Sequence, residues 1–177
     1  MKSGIAKPNT PPLLPRRARE SSKRDYGRLL ILAGSTGYTG APNFASRSAV
    51  RSGAGLVWLG VPERIYGICA LKNDEAMPFP LPCDGRGRLT AEALPEVEAR
   101  LERMDCLAIG PGLGRSEGVV ELVQGVLAAS RVPTVLDADA LWALSRDMRA
   151  LEEAACPCVL TPHEGEFALL GLSLIHI

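Results

Sequence analysis

Two glycine-rich turns carry much of the chemistry that this sequence offers. The first, Gly34–Gly40 (GSTGYTG), follows a short apolar run, and the second, Gly110–Gly114 (GPGLG), follows Cys106–Ile109. A strand, a bare backbone turn and a helix N-terminus together present free N–H groups to an anion. A second interpretation is also open, in which glycine serves only the tight connection between strand and helix. The repetition of the pattern favours the anion site.

The first turn matches neither of the two standard nucleotide motifs. Its glycines, Gly34, Gly37 and Gly40, are spaced G-x-x-G-x-x-G, whereas the dinucleotide fingerprint is G-x-G-x-x-G. A P-loop would require a following Gly-Lys-Ser/Thr, which the sequence lacks. The turn is therefore predicted to admit a ligand backbone without specifying which nucleotide it belongs to.

Carboxylates and a histidine follow two later apolar runs. Asp137 and Asp139 come directly after Thr134–Leu136. Two carboxylates beside an anion turn could order a magnesium ion or a sugar hydroxyl. Asp139 also has a simpler interpretation as the cap of the next helix. His163 stands in the stretch Thr161–Glu166 (TPHEGE), where a ligand role and a purely structural role both fit.

These residues follow predicted strands. Short apolar runs predict strands at Leu29–Ala33, Leu56–Val61, Cys106–Ile109, Thr134–Leu136 and Cys158–Leu160. Helical patterns are predicted over Asn43–Ser52, Glu63–Leu71, Thr90–Met104, Val119–Ala129, Ala140–Leu144 and Glu164–Leu170. This alternation predicts an α/β fold, a doubly wound, mostly parallel sheet with helices on both faces. Ligands of such sheets bind outside the carboxyl ends of the strands.

Two segments are predicted to fall outside this regular pattern. Met1–Asp25 is a polar, proline-bearing tail that we expect to be extended or disordered, with its basic side chains in solvent. The domain then occupies residues 26–177. Lys72–Gly87 contains three prolines and several turn residues, and is predicted to be an irregular surface excursion.

Composition excludes several classes of protein. The 177 residues include 20 basic and 20 acidic side chains, so the formal net charge is zero and a nucleic-acid surface is not expected. No apolar run is long enough for a transmembrane helix. The N-terminal stretch has no apolar core like that of a signal peptide, and the five cysteines are best explained as reduced thiols. A cytoplasmic location is therefore predicted.

Five motifs, taken in order, resemble the ADP/ATP-dependent NAD(P)H-hydrate dehydratases of the ribokinase-like superfamily. Asp25–Arg28 leads into LLILAGSTGYTGA, and this is followed by RSGAGLVWLGVPE, AIGPGLG, VLDADAL and LTPHEGE. Together the motifs cover nearly all of the chain from Asp25 to Gly171. Five ordered matches are far more specific than any single one of them. The resemblance implies a ribokinase-like fold.

The resemblance also implies an activity, the repair of damaged nicotinamide nucleotides. The substrate would be the S epimer of hydrated NADH or NADPH (NADHX or NADPHX). ADP or ATP would act as phosphoryl donor with Mg²⁺: the ring hydroxyl is phosphorylated, phosphate leaves and the reduced nicotinamide is restored. Members of the family often form homotetramers, and an NAD(P)H-hydrate epimerase would be the functional partner.

Residue by residue, the resemblance implies substrate-binding positions at Ala41, Gly112 and His163. Gly114 and Asp139 match motif positions near the substrate or the metal. The family's adenine-nucleotide site and its catalytic aspartate are expected beyond Ile177, so no catalytic residue is assigned here. We therefore expect a C-terminally truncated dehydratase domain. As an isolated chain it would be inactive and poorly stable, with an open sheet edge.

Two other functions share these features. A small-molecule kinase of the same superfamily, acting on a thiazole or a hydroxymethylpyrimidine, would have the same sheet and glycine turns. The combination of GSTGYTGA with TPHEGE favours the dehydratase over it. A non-catalytic nucleotide-binding module is the third hypothesis, and a reading frame that continues past Ile177 would eliminate it.

Overall fold

The computed structural model describes residues 16–171. In this part of the chain six strands form one sheet in the order β3-β2-β1-β4-β5-β6, and every neighbouring pair is parallel. The strands are β1 (Arg28–Leu32), β2 (Leu56–Pro62), β3 (Met77–Leu81), β4 (Cys106–Ile109), β5 (Thr134–Leu136) and β6 (Cys158–Leu160). The predicted doubly wound α/β fold is confirmed, and its sheet is entirely parallel.

Helices connect the strands. They are α1 (Gly40–Arg51), α2 (Glu63–Lys72), α3 (Leu94–Leu101), α4 (Glu117–Ala129), α5 (Asp139–Leu144), α6 (Arg149–Glu152) and α7 (Glu164–Leu169). A 3-10 turn, Ala91–Ala93, precedes α3, so the predicted helix over Thr90–Met104 is shorter than its pattern indicated. The short α6 was not predicted.

The alternation of side chains along β1 divides the core into two layers. Leu30 and Leu32 belong to a large apolar cluster with α3, α4 and α5, whereas Ile31 and Ala33 belong to a smaller cluster with α1 and α2. Successive residues of a strand point to opposite faces, so an uninterrupted apolar run such as this one requires cover on both sides. The helices on both faces provide that cover.

The prediction for Lys72–Gly87 was wrong, because the segment contains β3. Met77–Leu81 pairs with β2 along its whole length and forms an edge of the sheet in the described residues. Pro78, Pro80 and Pro82 alternate, and alternate N–H groups of a strand point to the same side. The prolines therefore remove donors from one side only, which is compatible with an edge strand. The irregular composition concealed a regular element.

The end of the predicted tail is also more ordered than expected. Residues 1–15 of the tail lie outside the described part. Ser22 caps a 3-10 helix, Lys23–Tyr26, through a reciprocal capping box with Asp25. The Arg17 guanidinium donates to the Gly53 carbonyl at 3.0 Å and lies 4.3 Å from the centre of the Tyr26 ring. Arg17 thus contacts the domain, while its side chain stays exposed to solvent as expected.

The central strands β1 and β4 are joined at their amino ends by an ion pair. Asp105 accepts from the Arg28 backbone at 2.8 Å, and its other oxygen lies 2.9 Å from Arg28 Nη2. The hydrogen bonds from the Arg28 side chain and backbone hold the pKa of Asp105 below its ordinary value. This contact lies at the amino ends of the two strands whose other ends form the site described below.

Gly110, directly after β4, provides a test of this packing. Its φ is 135°, and a Cβ there would overlap the Asp137 carbonyl oxygen. We expect Gly110→Ala to lower the free energy of unfolding by about 3 kcal/mol, from backbone strain and displacement of the β5 end. Urea unfolding followed by circular dichroism measures the change.

Gly85→Ala is the matched control, because a Cβ at that exposed position would meet nothing within 4 Å. An equal effect of the two substitutions would show that the close approach at Gly110 is not rigid.

Candidate functional site

The site begins at the point where the strand order reverses. From β1 the chain moves outward to β2 and β3, and then returns to place β4 on the other side of β1. Such a switch leaves a crevice at the carboxyl ends of the two central strands, where ligands of open α/β sheets bind. The two glycine turns that the sequence singled out follow β1 and β4, so both of them border this crevice.

The two turns are hydrogen-bonded to each other. Gly34 N–H donates to the Pro111 carbonyl at 2.9 Å, and the Ser35 hydroxyl donates to the Gly112 carbonyl at 2.8 Å. Ser35 is buried, and its hydroxyl bond to Gly112 is partly shielded from water. The turns therefore form one backbone unit, and a shift in either would move the other.

Ala41 and Gly112 are neighbours in this unit. Gly112 has a φ of 68°, and a Cβ there would lie 2.9 Å from the Ala41 Cβ and 3.1 Å from the Tyr38 Cβ. Ala41 lies in the first turn of α1, where Pro42 follows it, as predicted. The small side chains allow the start of α1 to pack against the second turn. The structure thus brings together two of the predicted positions.

Asp139 joins Gly114 rather than capping its own helix. Its Oδ2 accepts from Gly114 N–H at 2.8 Å, and its Oδ1 lies 3.5 Å from Arg115 Nε. The residue at the cap position of α5 is Ala138, which makes no side-chain cap bond. The alternative interpretation of Asp139 as a helix cap is therefore wrong, and four of the five predicted positions form one cluster.

The backbone before Asp139 is unusual. Ala138 has a φ of 50°, the one positive φ of a non-glycine residue in the range 16–171. Such conformations occur where the surrounding structure imposes them, and they are concentrated at functional sites. Here the conformation turns the chain from β5 so that the Asp139 carboxylate reaches the Gly114 amide.

His163 stands apart from this cluster. It caps α7: its Nδ1 accepts from Gly165 N–H at 3.0 Å and from Glu166 N–H at 3.3 Å, while Glu166 Oε2 accepts from His163 N–H at 3.0 Å. The side chain is 73% exposed, and its Nε2 lies 3.3 Å from Glu166 Oε1. Within residues 16–171 no hydrogen bond joins His163 to the other four positions. Its structural role is established, and its contact with a ligand stays a prediction.

The described residues do not form a dedicated magnesium cage. Over residues 16–171 no three side chains of His, Cys, Asp or Glu come together. Asp137 Oδ1 accepts from the Thr161 hydroxyl at 2.8 Å, and Asp139 is held by Gly114 and Arg115. Both predicted carboxylates thus have protein partners. Magnesium is commonly bound by one or two carboxylates together with ligand phosphates, so we derive no step from a metal held by these residues alone.

Sequence reasoning missed a tight hairpin that closes one side of the crevice. Cys83 and Leu89 form an antiparallel bridge, and Asp84 N–H donates to the Arg88 carbonyl at 2.8 Å. We call residues 83–89 the arginine hairpin, after Arg86 and Arg88. The dipeptide Asp84-Gly85, a common turn signal, was the clue in the sequence. The prolines that mask β3 in the sequence left this turn without a strand to follow.

The arginine hairpin packs directly on the first glycine turn. Thr36 N–H donates to the Gly87 carbonyl at 3.2 Å. Gly87 has a φ of 70°, and a Cβ there would overlap the Thr36 hydroxyl oxygen. The contact therefore requires glycine. It places Arg86 and Arg88, on either side of Gly87, at the crevice.

Together these elements enclose a cleft of about 520 Å³. It is lined by Ser35, Thr36, Tyr38, Arg86, Arg88, Gly114, Arg115 and Asp139. A cleft of similar volume, about 540 Å³, lies between α4 and α6 and is lined by residues such as Glu121 and Glu153. We favour the first as the site because it lies at the switch point and contains the glycine turns and three guanidinium groups.

These features define a class of protein, a doubly wound α/β protein with an arginine-lined cleft at its switch point. The ribokinase-like superfamily protein of Enterococcus faecalis shares the fold, with a TM-score of 0.72 at 24% identity over 88% of this chain and 51% of that one. The likeness at this identity concerns the architecture alone. It confirms the predicted ribokinase-like fold.

The particular family follows from more similar proteins. The NAD(P)H-hydrate dehydratase model matches residues 29–176, so the chain belongs to that family. A bifunctional NAD(P)H-hydrate repair enzyme of Moorella thermoacetica is 47% identical over 165 residues, 93% of this chain and 31% of that enzyme. An ATP-dependent (S)-NAD(P)H-hydrate dehydratase of Bos taurus is 33% identical over 168 residues, 93% of this chain and 49% of that enzyme.

A solved structure supports the same family. The ADP/ATP-dependent NAD(P)H-hydrate dehydratase of Bacillus subtilis, co-crystallised with ATP and Mg²⁺, has a TM-score of 0.69 at 33% identity. The match covers 89% of this chain and 51% of that one. The chain thus spans about half the length of these dehydratases, and about a third of the bifunctional enzyme. In the described residues no helix is long and apolar enough to cross a membrane.

The carboxylate of Asp84 provides a test of how the arginine hairpin is held. It accepts from the backbone N–H groups of Arg86 at 2.9 Å and Arg88 at 3.0 Å, and from Arg88 Nε at 2.8 Å. Burial would raise the pKa of Asp84, but these hydrogen bonds and the charge of Arg88 outweigh it, so the pKa is lowered. We expect Asp84→Asn to destabilise the protein by about 1 kcal/mol at neutral pH.

The pH dependence gives the sign of this effect. Because the folded-state pKa is depressed, the contribution is complete above the ordinary carboxyl pKa of about 4 and disappears as the pH falls through the folded-state pKa. Melting temperatures of the wild type and Asp84→Asn should therefore converge at low pH. A difference that stays constant from pH 7 down to pH 2 would contradict the assignment.

Proposed function

We propose that the complete protein returns hydrated NADH or NADPH, in the S form, to the intact cofactor, with ADP or ATP as phosphoryl donor. Family membership supports this proposal, together with the named activities of the Bos taurus and Bacillus subtilis relatives. The observation that carries it is the pair of hydrogen-bonded glycine turns at the switch point. Phosphoryl transfer depends mainly on positioning and charge stabilisation, which such a cleft supplies.

In this proposal the described residues bind and orient the substrate. Ala41 and Gly112 let the start of α1 pack closely against the second turn, and Gly114 and Asp139 fix the shape of that turn. The substrate's ring hydroxyl gives up its proton and takes a phosphoryl group from the nucleotide. The phosphate then leaves with the electrons of the C–O bond, and loss of a proton from the adjacent ring carbon restores the ring double bond. We assign the catalytic base to none of the described residues. Magnesium would accompany the nucleotide phosphates rather than occupy a site built from Asp137 and Asp139.

The partners and location remain proposals as well. An epimerase that interconverts the two hydrate epimers would supply the S form, and the relative from Moorella thermoacetica is named a bifunctional repair enzyme. A homotetramer and a cytoplasmic location stay predictions from the sequence. Light scattering of the purified complete protein would determine the oligomeric state.

The direct test is an assay of the complete reading frame with the S hydrate of NADH, ADP or ATP, and Mg²⁺. Recovery of absorbance at the wavelength of reduced nicotinamide, dependent on the nucleotide, is expected. Accumulation of a phosphorylated product without release of phosphate would favour the small-molecule kinase. Binding of nucleotide without any turnover would favour the non-catalytic module.

His163 provides a second prediction, because its two ring nitrogens have different tasks in the proposal. Nδ1 caps α7, whereas Nε2 is largely exposed and is proposed to contact the substrate. Asparagine is a good cap but cannot reproduce Nε2. We therefore expect His163→Asn to keep nearly wild-type stability while it raises KM for the hydrate several-fold.

His163→Ala is the companion variant. It should raise KM similarly and should also lower the free energy of unfolding by about 1 kcal/mol, since the cap is lost. If His163→Asn retained the wild-type KM, the histidine would be a cap and nothing more. Melting temperatures and initial rates on the same preparations distinguish these results.

A further inference from the structure

We propose that the arginine hairpin holds the pyrophosphate of the dinucleotide substrate, with Arg86 making the direct contact. This inference rests on the proposed function, because it takes a nicotinamide dinucleotide as the ligand of the cleft. It assigns a role to residues that the sequence placed in a surface excursion.

The hairpin is ordered before any ligand arrives. Asp84 binds both neighbouring backbone amides, Gly87 N–H donates to the Asp84 carbonyl at 2.9 Å, and Gly87 packs on Thr36. Each of these contacts is local or directed to the first glycine turn. A binding group on this support loses little conformational freedom when it engages a ligand.

Arg88 is already engaged with the protein. Its Nε and Nη2 lie 2.8 Å and 2.6 Å from Asp84 Oδ2, and its Nη1 donates to the Arg115 carbonyl at 2.7 Å. The residue thus joins the hairpin to the second glycine turn. Its role is to position the hairpin, and its guanidinium is not available for a full bidentate contact with a ligand.

Arg115 is partly engaged. Its Nε lies 3.5 Å from Asp139 Oδ1, and its guanidinium carbon is 5.7 Å from the centre of the Trp142 ring. The 3.5 Å separation is long for a charge-assisted hydrogen bond, so the pair leaves most of the guanidinium donors unused. Arg115 can turn one edge to a ligand without losing its carboxylate.

Arg86 is the guanidinium that remains. Within residues 16–171 no carboxylate pairs with its side chain, which lines the cleft beside Ser35 and Thr36. Three guanidinium groups at the cleft are matched by two carboxylates, Asp84 and Asp139, so one positive charge is left uncompensated. A guanidinium fits phosphate oxygens through two parallel hydrogen bonds.

The pyrophosphate is the anionic group that NADHX and NADPHX share. It carries its charge between the two nucleosides, so a contact there leaves the nicotinamide ring free to reach the glycine turns. The additional phosphate of NADPHX is a different source of the same chemistry. A contact with it would favour NADPHX alone, and comparison of the two cofactors therefore separates the two sources.

The experiment measures binding of NADH and NADPH to the complete protein by fluorescence. Arg86→Gln removes the charge and keeps the polar end, whereas Arg86→Lys keeps the charge and removes the fork. Arg103→Gln is the matched control, because Arg103 is an exposed arginine three residues before the start of β4 and lies outside the cleft. Melting temperatures establish that all three variants are folded.

We expect Arg86→Gln to raise Kd about tenfold for both cofactors, the usual scale for a charge-assisted phosphate contact. Arg86→Lys should raise it about threefold, and Arg103→Gln should leave it unchanged. The dependence of Kd on salt should also be weaker in Arg86→Gln.

Three outcomes would overturn the inference: an unchanged Kd in Arg86→Gln, a loss restricted to NADPH, or no binding of either cofactor by the wild type. A raised KM for ADP or ATP with unchanged cofactor binding would also overturn it and would assign the hairpin to the phosphoryl donor. Cofactor binding that weakens as expected in a protein without dehydratase turnover would support the inference while refuting the proposed function.

Discussion

The hydrogen bond from Gly34 N–H to the Pro111 carbonyl holds together the part of the molecule on which the site depends. It joins the turns that follow β1 and β4, the two strands between which the sheet reverses direction. The ion pair between Arg28 and Asp105 fixes the opposite ends of the same strands. The hydrogen bonds between the two turns hold the carboxyl ends of the central pair together at the crevice.

The surrounding groups attach to these two turns in sequence. Asp139 reaches back from α5 to the Gly114 amide, and the strained backbone of Ala138 makes that reach possible. The arginine hairpin approaches from the other side through Thr36 and Gly87. The second turn therefore has a carboxylate on one flank and the guanidinium of Arg88 near the other. This arrangement orders a positively charged cleft with most of its charges in pairs.

The paired arginines of the cleft hold its shape, whereas Arg86, unpaired within the described residues, is the one proposed to bind a ligand. Asp84 and Asp139 neutralise the arginines that give the cleft its shape, since an unpaired charge next to the packed turns would be costly. Arg86, at the exposed tip of the hairpin, needs no such partner because water solvates it. In the proposed mechanism that water is exchanged for phosphate oxygens. The cleft thus suits a nucleotide ligand even though its sequence lacks the common nucleotide-binding motifs.

The sequence by itself determined the strands next to the site, the parallel fold and the family. A continuous apolar run followed by glycine identifies the end of a strand, because both features belong to neighbouring residues in the sequence. Cys106–Ile109, for example, is a strand over the predicted residues. Only the tertiary structure decided which turns meet and which side chains pair. The Asp139 carboxylate accepts a hydrogen bond from the Gly114 amide, 25 residues earlier in the chain, and the Gly87 carbonyl accepts one from the Thr36 amide. Spacing along the chain carries no signal for such contacts, which depend on strand order. The alternating prolines of Met77–Leu81 likewise indicate a loop in the sequence. Only the pairing with β2 identifies this segment as an edge strand.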